Sequence, residues 1–144
     1  MTDKDVLSIG FQMKTIELMD TCLNAPQEPL AAETVFQFEI NLEHRINVEK
    51  DFVIVICTVS ILNETKDQLF GKLRSSCVYE VKELSKFVDP ETKSVAIPEV
   101  FATTLNSVSL STTRGLMFSY FRGTFLHNAI LPIIDPKSFS SEKK

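Results

Sequence analysis

Three cysteines and two histidines are the side chains best suited to nucleophilic or metal chemistry, and their spacing argues against both. Cys22, Cys57 and Cys77 are widely separated with no C-x-x-C pair, and His44 and His127 lie in unrelated segments without an i+4 partner. Metal sites normally draw His and Cys ligands from close spacings. No G-x-S-x-G, H-E-x-x-H, P-loop or G-x-G-x-x-G pattern occurs. Gly10, Gly71, Gly115 and Gly123 are too scattered to cradle a phosphate. Carboxylates such as Glu39 and Glu43 alternate along a strand and need only water. The census supports no catalytic residue, no metal and no cofactor. The chain reads as a non-enzyme.

An odd number of distant cysteines suits reduced, mostly buried thiols rather than a disulfide framework. What the chain has in excess is phenylalanine, 11 of 144 residues, with no tryptophan. Most belong in a core. Phe87, Phe125 and Phe139 fall near loops or chain ends, where apolar residues can line a groove for an extended peptide.

The elements that position these residues follow from hydrophobic period. Ser8 to Lys14 alternates, with Ile9, Phe11 and Met13 on one side, and can continue through Ile16 and Leu18. Asn24 to Pro29 breaks the pattern, because proline cannot donate to a ladder. Val35 to Glu43 alternates with Phe36, Phe38, Ile40 and Leu42 on one face. Phe52 to Leu62 is apolar on both faces and β-branched, which places it centrally. Leu69 to Val81 is the fourth strand. The short polar turns at 47–51 and 63–67 favour antiparallel hairpins. Leu84, Phe87 and Val88 have a brief helical spacing that Asp89-Pro90 stops.

At Pro98 the period changes to that of a helix over 98–122, with Glu99 at its positive end. Phe101, Leu105, Val108 and Thr112 follow as one stripe. Ser107 to Thr113 is rich in weak helix formers, and Gly115 adds a cost of about 1 kcal/mol relative to Ala. Such a helix needs packing to persist, and small residues permit close approach of a second helix. Phe101, Leu105, Val108, Thr112 and Gly115 are therefore the expected subunit interface. Strands followed by one main helix make the chain α+β, a single domain over 1–144.

Gross properties narrow the function. The net charge of −4 and absence of a basic patch argue against nucleic acid. The longest apolar run, Phe52 to Cys57, is too short for membrane insertion. The first residues lack a signal-peptide pattern, so a cytoplasmic location is expected.

With the elements in order, the chain resembles the SecB family of protein-export chaperones. Phe11-Gln12-Met13-Lys14 with Leu23-Asn24-Ala25-Pro26 is similar to the family's first strand and following loop. Glu39-Ile40-Asn41-Leu42-Glu43 is similar to its second strand. Arg122-Gly123-Thr124-Phe125, then Asn128 to Pro132, resembles its helix exit and apolar loop. The likeness spans about residues 8–139. It implies a four-stranded antiparallel sheet, a long helix and a short C-terminal helix within 123–139, before a tail at 140–144. It implies a homotetramer built as a dimer of dimers. It also implies an ATP-independent holdase for unfolded client polypeptides in protein export. The implied peptide-binding groove comprises Ile40, Leu42, Phe87, Phe125, Ile130, Leu131, Ile133 and Phe139, with His44 where the pattern has an apolar residue. The family docks the SecA export motor on an acidic sheet surface. Here Lys72 and Leu73 stand near an expected acidic position, and the chain ends in a short basic segment. The alternative is therefore a SecB-like module dedicated to one partner, such as an antitoxin.

Overall fold

The computed structural model describes residues 9–136. Four strands, β1 (Phe11–Leu23), β2 (Gln37–Asn47), β3 (Phe52–Leu62) and β4 (Leu69–Val81), precede the helix α1 (Glu99–Tyr120). The strands form an antiparallel sheet in the order β1-β4-β3-β2. Strands β2 to β4 are a meander of short turns, and β1 returns beside β4. Both β1 and β2 are consequently edges.

Strand alternation decides which residues the helix covers. Val53, Val55, Cys57, Val59 and Ile61 pair with Tyr79, Cys77, Ser75, Leu73 and Gly71, and this row lies under α1. Phe38, Ile40 and Leu42 of β2 extend it, opposite Ile61, Val59 and Cys57. Two apolar clusters result. One joins Cys57, Val59, Ile61, Phe70 and Leu73 to Leu110, Met117, Phe121, Leu126, Ala129 and Leu131. The other joins Val53, Val55, Cys77, Tyr79 and Val81 to Leu84, Phe101 and Leu105.

Local chemistry sets the boundaries. Pro98 caps α1 through its carbonyl, which accepts from the Ala102 N–H at 3.0 Å, and Glu99 lies in the first turn. Thr104, Thr112 and Thr113 return their hydroxyl hydrogens to the carbonyls of Val100, Val108 and Ser109. That local bonding satisfies polar side chains without unwinding the helix. A 3-10 turn covers Leu84–Phe87. The loop after it is closed by a bridge between Val88 and Val95.

Some sequence expectations shift. Strand β1 is longer than the alternation indicates, with register shifts after Met13 and Leu18 that return Ile16 to the same side as Met13. Strand β2 starts at Gln37 and runs to Asn47, so the turn that follows is only four residues long. No helix occurs between 123 and 136: turns and a bend occupy 121–128, and 129–135 have no regular secondary structure. Phe139 and the tail at 140–144 lie outside the described residues.

Candidate functional site

The apolar row of β2 is only half covered. Phe36, Phe38, Ile40 and Leu42 pack against the first cluster but keep part of their surface, because β2 is an edge and α1 sits over β3 and β4. Rings close the end of this flank. Phe70 meets Phe36 at 6.1 Å and Phe125 at 5.7 Å, both edge-to-face, an arrangement that adds to their burial.

The chain leaves α1 through Phe121, whose N–H reaches Met117 O at 2.9 Å, and turns at Gly123, where φ is +82°. That left-handed value suits glycine. Residues 129–134 then run back as a strap. Ala129 and Leu131 are buried in the first cluster and Ile134 packs against it, while Ile130 is 53% and Ile133 is 93% exposed. Arg114 of α1 holds the strap's backbone. Its Nε donates to Leu131 O at 2.8 Å and its Nη2 to Pro132 O at 2.9 Å.

At the middle of the flank, His44 Nε2 donates to Asn106 Oδ1 at 2.6 Å. Asn106 is fully buried on α1, and its amide nitrogen has no partner among the described residues. The substitution of His44 into an otherwise apolar row is thus matched by a polar residue on the helix. The remaining inward polar groups of α1 are paired with β4. Tyr79 and Ser109 hydroxyls lie 2.7 Å apart, and Ser75 and Thr113 hydroxyls 2.9 Å apart.

The expected groove residues divide. Ile40, Leu42 and Phe125 gather at the first cluster, together with the strap. Leu131 is 1% exposed and belongs to the core, which leaves it no surface for a ligand. Phe87 packs on the second cluster, at the other end of the sheet. Among the described residues, Leu42 alone packs against both clusters. The expected interface residues divide too. Phe101 and Leu105 are 3% and 1% exposed beneath the chain's own sheet, so they offer nothing to a second subunit. Val108 and Gly115 are exposed and Thr112 is half-buried, on the outward side of α1. Leu73 is buried against α1, so of these two residues Lys72 is the one on the uncovered sheet face. Sequence reasoning missed Arg114, Asn106 and the paired hydroxyls.

The site has little capacity for bond-making chemistry. Burial raises the Cys57 thiol from its ordinary 9.0 to about 11, and burial also pushes Cys77 and the Tyr79 phenol up. These groups stay protonated at neutral pH, and a protonated buried thiol is a poor nucleophile. Among the described residues no cluster of three or more His, Cys, Asp or Glu is placed to hold a metal. No described helix is long and apolar enough to cross a membrane.

No family model matches the chain, and no curated protein matches it. Among solved structures it is similar to the Mycobacterium tuberculosis Rv1957 SecB-like chaperone, in complex with a ChAD peptide from the Rv1956 HigA1 antitoxin. The TM-score is 0.66 at 13% identity, covering 91% of this chain and 94% of that one. A Streptococcus agalactiae protein of unknown function matches with a TM-score of 0.34 at 12% identity, over 80% of this chain and 90% of that chain. The first likeness gives the fold: a four-stranded antiparallel sheet and long helix of SecB-like architecture.

Proposed function

We propose that this chain is an ATP-independent chaperone of the holdase type, which binds extended apolar segments of unfolded polypeptides along the flank between β2 and the strap. The observation that carries this reading is the half-covered row Phe36, Phe38, Ile40 and Leu42 on a SecB-like fold, bordered by the exposed Ile130 and Ile133. An edge strand beside an apolar row offers backbone hydrogen bonds and side-chain contacts to an extended ligand at once. Weak contacts of that kind tolerate many sequences and release quickly.

The working form in this proposal is a cytoplasmic homo-oligomer, a dimer of dimers. The outward side of α1 carries Val108, Thr112 and Gly115, and the free edge β1 exposes Ile16, Leu18, Met19 and Leu23. Apolar edge strands invite pairing with another chain.

The test is a chemically unfolded client diluted into buffer without nucleotide. Aggregation should be suppressed at near-stoichiometric ratios. Unchanged light scattering at severalfold molar excess would end this reading.

A second reading is favoured by the uncovered sheet face. There Arg45, Lys72 and Arg74 intermingle with Glu39, Glu43 and Glu80, and Glu43 pairs with Arg45 at 2.7 Å and Arg74 at 3.7 Å. Such a mixed face is a poor match for a motor that needs an acidic dock, such as SecA, and suits one dedicated partner. The SecB-like neighbour bound to an antitoxin peptide supports the same alternative. Affinity capture returning one stoichiometric protein would favour it, whereas many unrelated chains would favour the general chaperone.

A further inference from the structure

The strap is attached in an unusual way. Pro132 lacks the N–H that a ladder needs, and among the described residues none of 131–134 shares a backbone hydrogen bond with a strand. Its backbone is gripped instead by the Arg114 guanidinium, on the successive carbonyls of Leu131 and Pro132. Its largest buried side chain, Leu131, fills a seat in the cluster on which Ile40 and Leu42 also pack. The preceding turn is closed by its own bonds, Thr124 N–H to Phe121 O, His127 N–H to Thr124 O and Ala129 N–H to Leu126 O. The strap beyond Ile130, whose own N–H bonds to Asn128 O, can therefore lift without unravelling that turn.

We infer that Leu131 and Pro132 occupy, in cis, a seat for an extended apolar segment of another polypeptide, and that Arg114 is the positioning residue for whichever backbone lies there. The occupant's chemistry is read from the strap itself. It is one aliphatic side chain for the pocket and two consecutive carbonyls for a planar fork of donors. Neither contact depends on covalent continuity with α1, and carbonyl recognition is indifferent to sequence. The strap then competes with clients, and its occupancy scales down their apparent affinity. This inference rests on the chaperone reading.

The probe is a labelled peptide of residues 129–136, added to the full-length chain. Leu131→Ala removes the anchor of the cis occupant and leaves Arg114 and the seat intact. The peptide should bind this variant about tenfold more tightly, the gain expected when a competing state occupied about nine-tenths of the time is released. Equal or weaker binding by a folded variant overturns the inference. Arg114→Ala provides an arm that does not depend on that variant folding. Thermolysin cleavage within 129–134 should quicken about tenfold while the strands stay uncut, with Arg114→Lys intermediate because an ammonium cannot fork. Unchanged cleavage there also overturns it. If wild type suppresses client aggregation but Leu131→Ala gains no affinity, only the inference fails. If wild type does not suppress aggregation, the chaperone reading fails, and the cleavage arm still decides whether Arg114 holds the strap.

Discussion

The Tyr79 hydroxyl on β4 and the Ser109 hydroxyl on α1 lie 2.7 Å apart in the seam where helix meets sheet, and both residues are buried. Of the small residues of α1 that the sequence suggested as a point of helix–helix contact, Ser109 and Thr113 face the chain's own sheet, while Thr112 and Gly115 lie on the outward side. Tyr79→Phe would strand the Ser109 hydroxyl in a dry seam. Such a loss costs about 1–3 kcal/mol, because the orphaned group keeps its desolvation penalty. Urea unfolding of Tyr79→Phe, Ser109→Ala and the double variant should show the cost in the first single variant and its partial recovery in the double.

Gly71 sits where β4 passes beneath the turn after α1. A Cβ there would come within 2.5 Å of the buried Leu126 side chain and 3.3 Å of the Cys22 carbonyl. Gly71→Ala should destabilise the fold by about 1–3 kcal/mol, the usual cost of overpacking. The denaturation midpoint measures it. Shortening Leu126 to Ala in the same chain should give a double-variant loss smaller than the sum of the two single losses.

Alkaline pH should loosen the core. Cys57 holds its proton up to about 11 in the folded chain against an ordinary 9.0, through burial. Above pH 9 the unfolded thiol ionises while the folded one stays neutral, so the unfolded state binds fewer protons. Stability is complete below pH 9 and falls as pH rises towards 11. One such group contributes a slope of about 1.4 kcal/mol per pH unit. Cys77 and Tyr79, raised in the same direction by burial, steepen the decline. Urea midpoints between pH 7 and 11 should trace it, and Cys57→Ala should flatten it.

The sheet was largely legible, because β3 and β4 carry their own signals. Phe52–Leu62 is β-branched on both faces, and the turns between strands are polar and short. The buried face of α1 was not. Phe101, Leu105, Ser109, Thr113 and Met117 recur every four residues and all are buried. Hydrophobicity alone turns the stripe towards Val108 and Thr112, because Ser109 and Thr113 read as solvent-facing. They are buried only because Tyr79 and Ser75 meet them, and such a match becomes visible once β4 and α1 are aligned. Arg114 had no signature for a deeper reason. It binds carbonyls of Leu131 and Pro132, and backbone acceptors are the same at every residue.

Gly115 can separate the helix's role within the chain from the role between chains proposed for it. A Cβ there meets nothing within 4 Å, and its position lies inside α1. In a single subunit, Gly115→Ala should therefore stabilise by about 1 kcal/mol, the helix-propensity difference. A second helix seated against Val108, Thr112 and Gly115 would reverse the preference for bulk, since close contact between helices depends on a small side chain. Gly115→Leu should accordingly lower the mass seen by sedimentation at micromolar concentration while keeping or raising the unfolding midpoint at high dilution. An oligomer of unchanged mass in Gly115→Leu would remove this side of α1 from the interface. The proposed contact would then fall to the exposed edge of β1, with Ile16, Leu18 and Leu23.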